Sequence, residues 1–189
     1  MNSERFRVSR DTPSFYITAV AKHRLPVFRT DPIKAVTCQA LDRARKSSGV
    51  LLFAYVVMPD HLHLLTDSPR PASDVLRYIK GTIAHEVIEY LKQQRHEESL
   101  RKLQHHEGKR HHRHSLWGHE SNVFSVFSEN MLMQKVNYIH MNPVRASLVE
   151  RAVDYRWSSA RLWQRCATKN EPLAVDVDRI QWRRSAAGA

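Results

Sequence analysis

Val50-Leu51-Leu52-Phe53-Ala54-Tyr55-Val56-Val57-Met58-Pro59-Asp60-His61-Leu62-His63-Leu64-Leu65 is the stretch on which the architecture turns. Its first half, to Val57, is a continuous apolar run rich in β-branched and aromatic residues, which reads as a buried strand. Met58-Pro59-Asp60 breaks the run as a turn. The chain then resumes as a strand over residues 61–66 in which histidine and leucine alternate. Strand side chains alternate between faces, so His61 and His63 share one surface while Leu62 and Leu64 point into the core.

Working outward, Ser14 to Val20 reads as a first strand. Asp31-Pro32 reads as an N-cap with proline at the first helical position, opening a helix that stops at Ser47-Ser48-Gly49. From Ser73, apolar residues at Val75, Leu76, Ile79, Ile83, Val87, Ile88 and Leu91 follow helical spacing. Gln93 to Ser115 is polar and dense in Lys, Arg and His, and reads as an exposed or partly disordered connection. Asn122 to Phe127 is a further strand, and Ser128-Glu129 caps a helix that Asn142-Pro143 is expected to end. The resulting β-α-β-β-α-β order predicts an α+β, ferredoxin-like antiparallel sheet with an additional C-terminal helix. Helices then cover one sheet face, and the other displays the two histidines. Residues 1–165 are read as one domain and residues 166–189 as a basic tail serving substrate choice more than stability.

Composition narrows the partners. The 189 residues carry a formal net charge of +11. Of 30 basic residues 21 are arginines, the side chain suited to bidentate contacts with phosphate and guanine. A surplus of that sign points to a polyanion, nucleic acid first. Cys38 and Cys166 have no metal-like or redox-like spacing and read as free thiols of a reducing compartment. The N-terminus lacks a signal-peptide pattern and the longest apolar run is too short for a bilayer, so no membrane association is expected. The expectation is a cytoplasmic, nucleoid-associated protein of bacterial type.

A second string, Tyr138-Ile139-His140-Met141-Asn142-Pro143-Val144-Arg145, puts Tyr138 and Asn142 one above the other on a helix face. Taken singly, each residue has an ordinary explanation. A His-x-His can be plain strand patterning, Tyr138 a half-buried aromatic, and Asn142 before proline a helix terminator. Jointly, Pro-Asp-His-Leu-His after an apolar strand and Tyr-Ile-His-x-Asn-Pro-Val-Arg-Ala resemble the HUH-type single-tyrosine transposases. Within them the chain is most similar to the REP-associated tyrosine transposases, over roughly Ser14 to Arg161. Two departures stand out, the central polar segment and Ala146-Ser147 where many relatives have Ala-Gly.

The resemblance implies that His61 and His63 bind a divalent metal, that Asn142 supplies a third ligand, and that Tyr138 is the nucleophile. Asp60 is a candidate to hold a histidine ring from behind. It implies metal-dependent cleavage and rejoining of single-stranded DNA beside a hairpin or palindrome, through a 5′-phosphotyrosine. A mixed nitrogen and oxygen donor set suits Mn²⁺ readily and Mg²⁺ less so. His140 lies near Tyr138 in sequence but faces elsewhere on the helix, and no base for the tyrosine stands out. The implied partner is single-stranded or hairpin DNA, bound by a monomer or homodimer. Arg145, Arg156, Arg161, Arg165, Arg183 and Arg184 are candidate DNA contacts, interleaved with Trp157, Trp163 and Trp182 in the manner of single-strand binders. Trp157 is expected to pin the last segment to the core. Two other readings remain open: a catalytically silent DNA- or RNA-binding protein, and a zinc-dependent hydrolase using His61 and His63, with His105, His106, His111, His112, His114 and His119 as further residues that could bind zinc.

Overall fold

In the computed structural model of the chain, residues 5–67, 69–104 and 114–183 are described. Four strands form one antiparallel sheet: β1 (Ser14–Val20), β2 (Leu52–Val57), β3 (His61–Thr66) and β4 (Asn122–Val126), in the order β2-β3-β1-β4. This is the strand order of the split β-α-β expected from the sequence. The helices are α1 (Asp31–Ser48), α2 (Ala72–Gln93), α3 (Glu97–Lys102), α4 (Glu129–Arg145) and α5 (Ala160–Trp163). No described helix is long and apolar enough to cross a membrane.

α1 starts one residue earlier in its capping frame than the sequence suggests. Thr30 is the extended N-cap and Pro32 falls at the second helical position. Pro tolerates either place because the first-turn N–H groups have no intrahelical acceptor. Gly49 ends the helix at φ 72°, in the left-handed region that costs glycine nothing. α1 and α2 pack together on one face of the sheet. Val75, Ile79, Ile83, Val87 and Leu91 form the buried stripe of α2, together contributing about 10 kcal/mol before ordering entropy is subtracted.

The turn between β2 and β3 is held from three sides. The Met58 N–H donates to the His61 carbonyl at 2.8 Å, Phe28 N–H to Pro59 O at 2.9 Å, and Ala21 N–H to Asp60 O at 2.8 Å. The outer edge of β2 is covered rather than exposed. Val57 N–H donates to Trp157 O, the Tyr155 hydroxyl to Val57 O, and the Trp163 indole to Phe53 O. Such cover removes the unpaired edge that would invite strand addition. Trp157 is buried and its indole donates to Asp31 Oδ1 at 2.8 Å, the pinning role expected of it.

Three expectations need correction. α4 does not stop at Asn142-Pro143 but runs to Arg145, since Asn142 O and Val144 O still accept from Ala146 and Ser147. A proline near a helix end forfeits a single donor, which packing of buried Pro143 outweighs. Within the polar connection, α3 forms and buries Leu100, and Leu103 just after it, against the core; residues 105–113 lie outside the described residues. The stretch after residue 165 is not a detached tail. Leu173 and Ile180 are buried in the same core, Phe6 and Ile180 form a parallel bridge, and Asp176 accepts from Leu52 N–H and pairs with Arg45 at 2.8 Å. Sequence periodicity missed this segment because its apolar residues come singly, between turns.

Candidate functional site

Register brings the site together. Thr18 lies opposite His63 and Val20 opposite His61, with Tyr16 two residues along on the same face of β1. α4 lies across this face, away from α1 and α2. Tyr16, Thr18, Val20, Arg24, His61, His63, Lys135, Tyr138 and Asn142 line one cleft of about 540 Å³.

His61 Nδ1 is 2.6 Å from Asp60 Oδ1. An ionised carboxylate only accepts, so this ring nitrogen donates its proton to Asp60. Asp60 Oδ2 in turn receives Arg24 Nη1 at 3.2 Å. Burial alone would raise the Asp60 carboxyl; the His61 hydrogen bond and the charges of His61 and Arg24 outweigh it and hold it below the usual range. His63 is only 5% exposed, its Nδ1 within 2.8 Å of the Tyr16 hydroxyl and 3.0 Å of Thr18 Oγ1. Burial, then the neighbouring His61 and Lys135 charges, push its pKa down to about 3, so the ring is neutral at physiological pH. Burial likewise pushes the Tyr16 phenol up to about 12, against the pull of its Thr18 contact. With their Nδ1 atoms engaged, both imidazoles have Nε2 left for another partner.

On α4, Ser128 Oγ accepts from Met131 N–H and starts the helix as expected. Tyr138 packs edge-on to His63 at 5.4 Å and to Tyr16 at 6.0 Å between ring centroids. It is nonetheless 42% exposed, so its ring is anchored while its edge stays open to a substrate. Arg145 lies over the other side of the ring at 4.9 Å. His140 faces away, as expected. It is buried, its Nε2 is 2.9 Å from Ser159 Oγ, and the Tyr55 N–H donates to that same oxygen, so it ties α4 to the edge of β2. Burial lowers its pKa to about 4.

The arginines divide. Arg145 lies over the Tyr138 ring beside the cleft, whereas Arg161 pairs with Glu171 at 3.3 Å and Arg156 lies over Trp157 and donates to Asn170 O. Arg165 and Arg183 are exposed and line no part of the cleft, and Arg184 lies outside the described residues. Two cleft cations escaped the sequence reading, Arg24 and Lys135. Arg24 follows His23, both at positive φ (51° and 53°), a conformation costly for side chains with a Cβ. No motif marks Arg24; Lys135 could have been found from its position three residues before Tyr138.

The donor set fits a divalent cation. His61 and His63 offer two Nε2 lone pairs, and Asn142, which lines the same cleft, offers an amide oxygen without a hydrogen-bond partner among the described residues. No group of three or more His, Cys, Asp or Glu among the described residues could hold a metal. His114 and His119 line no part of this cleft, and His105, His106, His111 and His112 lie outside the described residues.

Across its whole length the chain is similar in fold to a REP-associated tyrosine transposase solved bound to a REP hairpin, with a TM-score of 0.59, 17% identity, and 100% of this chain and 98% of that one covered. A Deinococcus radiodurans R1 chain described as a candidate transposase matches with a TM-score of 0.46 and 24% identity, over 68% of this chain and 88% of that one. No curated protein sequence matches. The sequence family described as "Transposase IS200 like" matches residues 12–142, a span that holds both histidines, Tyr138 and Asn142. This chain belongs to the IS200-like transposase family.

Proposed function

We propose that this protein cuts and rejoins single-stranded DNA beside a hairpin, with Tyr138 as nucleophile and a divalent cation, Mg²⁺ or Mn²⁺, held by His61, His63 and Asn142. The observation that carries the reading is the Tyr138 ring against His63 in the cleft that all four residues line. When bound, the cation would supply Lewis-acid charge to the non-bridging oxygens of the scissile phosphate. The Tyr138 oxygen attacks phosphorus as the P–O3′ bond breaks, and the departing oxygen takes up a proton to become a 3′-hydroxyl. The product is a 5′-phosphotyrosine. Attack of a 3′-hydroxyl on that linkage restores the phosphodiester and frees Tyr138, so the ester count is conserved and no ATP is consumed. Asp60 and Thr18 keep both imidazoles oriented, and Arg24 and Lys135 in the cleft, with Arg145 over the Tyr138 ring, make it attractive to a polyanion. The hairpin-bound transposase of the same fold supports a hairpin as the DNA partner.

Tyr138→Phe removes one oxygen and keeps the ring. Wild type incubated with a labelled hairpin oligonucleotide and Mn²⁺ should yield a protein–DNA adduct that survives a denaturing gel, and Tyr138→Phe should yield none while still binding the hairpin. An adduct persisting in the variant refutes the assignment. Hairpin binding by wild type with no cleavage under either metal favours the silent binding protein instead.

A further inference from the structure

Lys135 stands one helical turn before Tyr138, and residues 135, 138 and 142 fall on one face of α4. All three line the cleft with the two histidines. The Lys135 ammonium lies 4.5 Å from the centroid of the Tyr16 ring and 5.7 Å from that of Phe124. Tyr16 is the residue whose hydroxyl contacts His63. The other nearby cations are otherwise engaged: Arg24, which lines the cleft, with Asp60 and Glu120, and Arg145, beside it, with the Tyr138 ring. Among the described residues no carboxylate pairs with Lys135, although the side chain is half-buried. Aromatic faces orient a cation but leave its N–H groups without acceptors. An ammonium held this way lacks a counter-charge, and an oxyanion entering the cleft would supply one.

We propose that Lys135 donates a hydrogen bond from Nζ to a non-bridging oxygen of the phosphate that Tyr138 attacks, and so acts as a catalytic residue of this chain. The inference rests on Tyr138 being the nucleophile. Phosphoryl transfer concentrates charge on the equatorial oxygens, so a cation fixed beforehand favours the transition state over the bound ground state. The Tyr16 and Phe124 rings fix it, since they restrict the lysine stem at the height of the histidines.

The experiment compares wild type, Lys135→Met, Lys135→Gln, Lys135→Arg and Tyr138→Phe in single-turnover adduct formation with a hairpin oligonucleotide and Mn²⁺. Hairpin affinity and melting temperature are measured beside it. Methionine keeps the apolar stem and loses the charge; glutamine is a second neutral variant if methionine disturbs α4. Both should slow adduct formation roughly a hundredfold to a thousandfold, the range for removing one charge-stabilising donor. Hairpin affinity should change by less than about threefold, as expected of an interaction strengthened in the transition state. Arginine should restore part of the rate. A neutral variant that reacts at the wild-type rate, a loss confined to affinity, or an arginine variant as slow as methionine overturns the proposal. Wild type lacking a Tyr138-dependent adduct removes the nucleophile reading and this one together, whereas a fast Lys135→Met with an intact Tyr138 adduct removes Lys135 alone.

Discussion

Asp60→Asn tests whether the carboxylate behind His61 sets metal affinity. Asp60 makes two contacts, 2.6 Å to His61 Nδ1 and 3.2 Å to Arg24 Nη1. The second is mostly solvent-facing, with the Arg24 side chain 61% exposed, and such pairs contribute little, about 0–1 kcal/mol. The first is short, and the His61 side chain is only 16% exposed. The full effect should therefore pass through the imidazole. Asparagine keeps one acceptor oxygen but loses the charge that makes Nε2 a better donor to a cation. Losing such a partner typically weakens metal binding about 10- to 100-fold, or about 1.4–2.8 kcal/mol. Retention of the amide oxygen puts Asp60→Asn near the lower figure and Asp60→Ala near the upper. Calorimetric titration of Mn²⁺ into DNA-free protein measures this directly, with Arg24→Ala as control and an expected loss under about threefold. Equal affinity in Asp60→Asn and wild type, or an Arg24→Ala loss as large as that of Asp60→Asn, refutes the reasoning.

Deleting residues 168–189 removes buried Leu173 and Ile180 and the Asp176 partner of Arg45 and Leu52 N–H. That should cost about 5 kcal/mol and lower Tm by roughly 10–20 °C; a shift of only a few degrees in calorimetry would mean the segment is not part of the core. Ser159→Ala leaves His140 Nε2 and the Tyr55 N–H without their buried partner, which should cost about 1–3 kcal/mol in urea unfolding and slow cleavage by loosening α4. Unchanged stability would place the tie elsewhere. Burial, with the Asp176 charge adding to it, raises Asp67 to about 6. In the folded protein it binds a proton more tightly than in the unfolded chain, so its contribution to stability is complete below the unfolded value near 4 and is lost as pH rises through about 6. Wild type should thus lose more stability than Asp67→Asn between pH 5 and pH 7, and parallel melting curves over that window would contradict the assignment.

Some of this protein could be read along the chain. The bounds of β1 and β3, the buried stripe of α2 and the Ser128 cap followed from alternation, helical spacing and capping chemistry, each acting within a few residues. The Pro-Asp-His-Leu-His and Tyr-x-x-x-Asn-Pro strings each placed residues on a shared face that lines the cleft, because neighbours on one strand face or helix face are fixed by local geometry. What lay beyond reach was set by pairs far apart in sequence. Tyr16 and Thr18 meet His63 only through the β1–β3 register, and Arg24 meets Asp60 only because Ala21 N–H anchors the hairpin turn. Likewise Leu173 and Ile180 join the core through contacts with β2 and the N-terminal residues, with no period to announce them. The helix stop expected at Pro143 shows the same contest from the other side, a local preference overruled by packing of the helix end. Local codes act over a turn or a strand, whereas the depth of His63, the closeness of Tyr138 to it and the lone charge of Lys135 depend on how distant segments stack, which the closed fold alone determines.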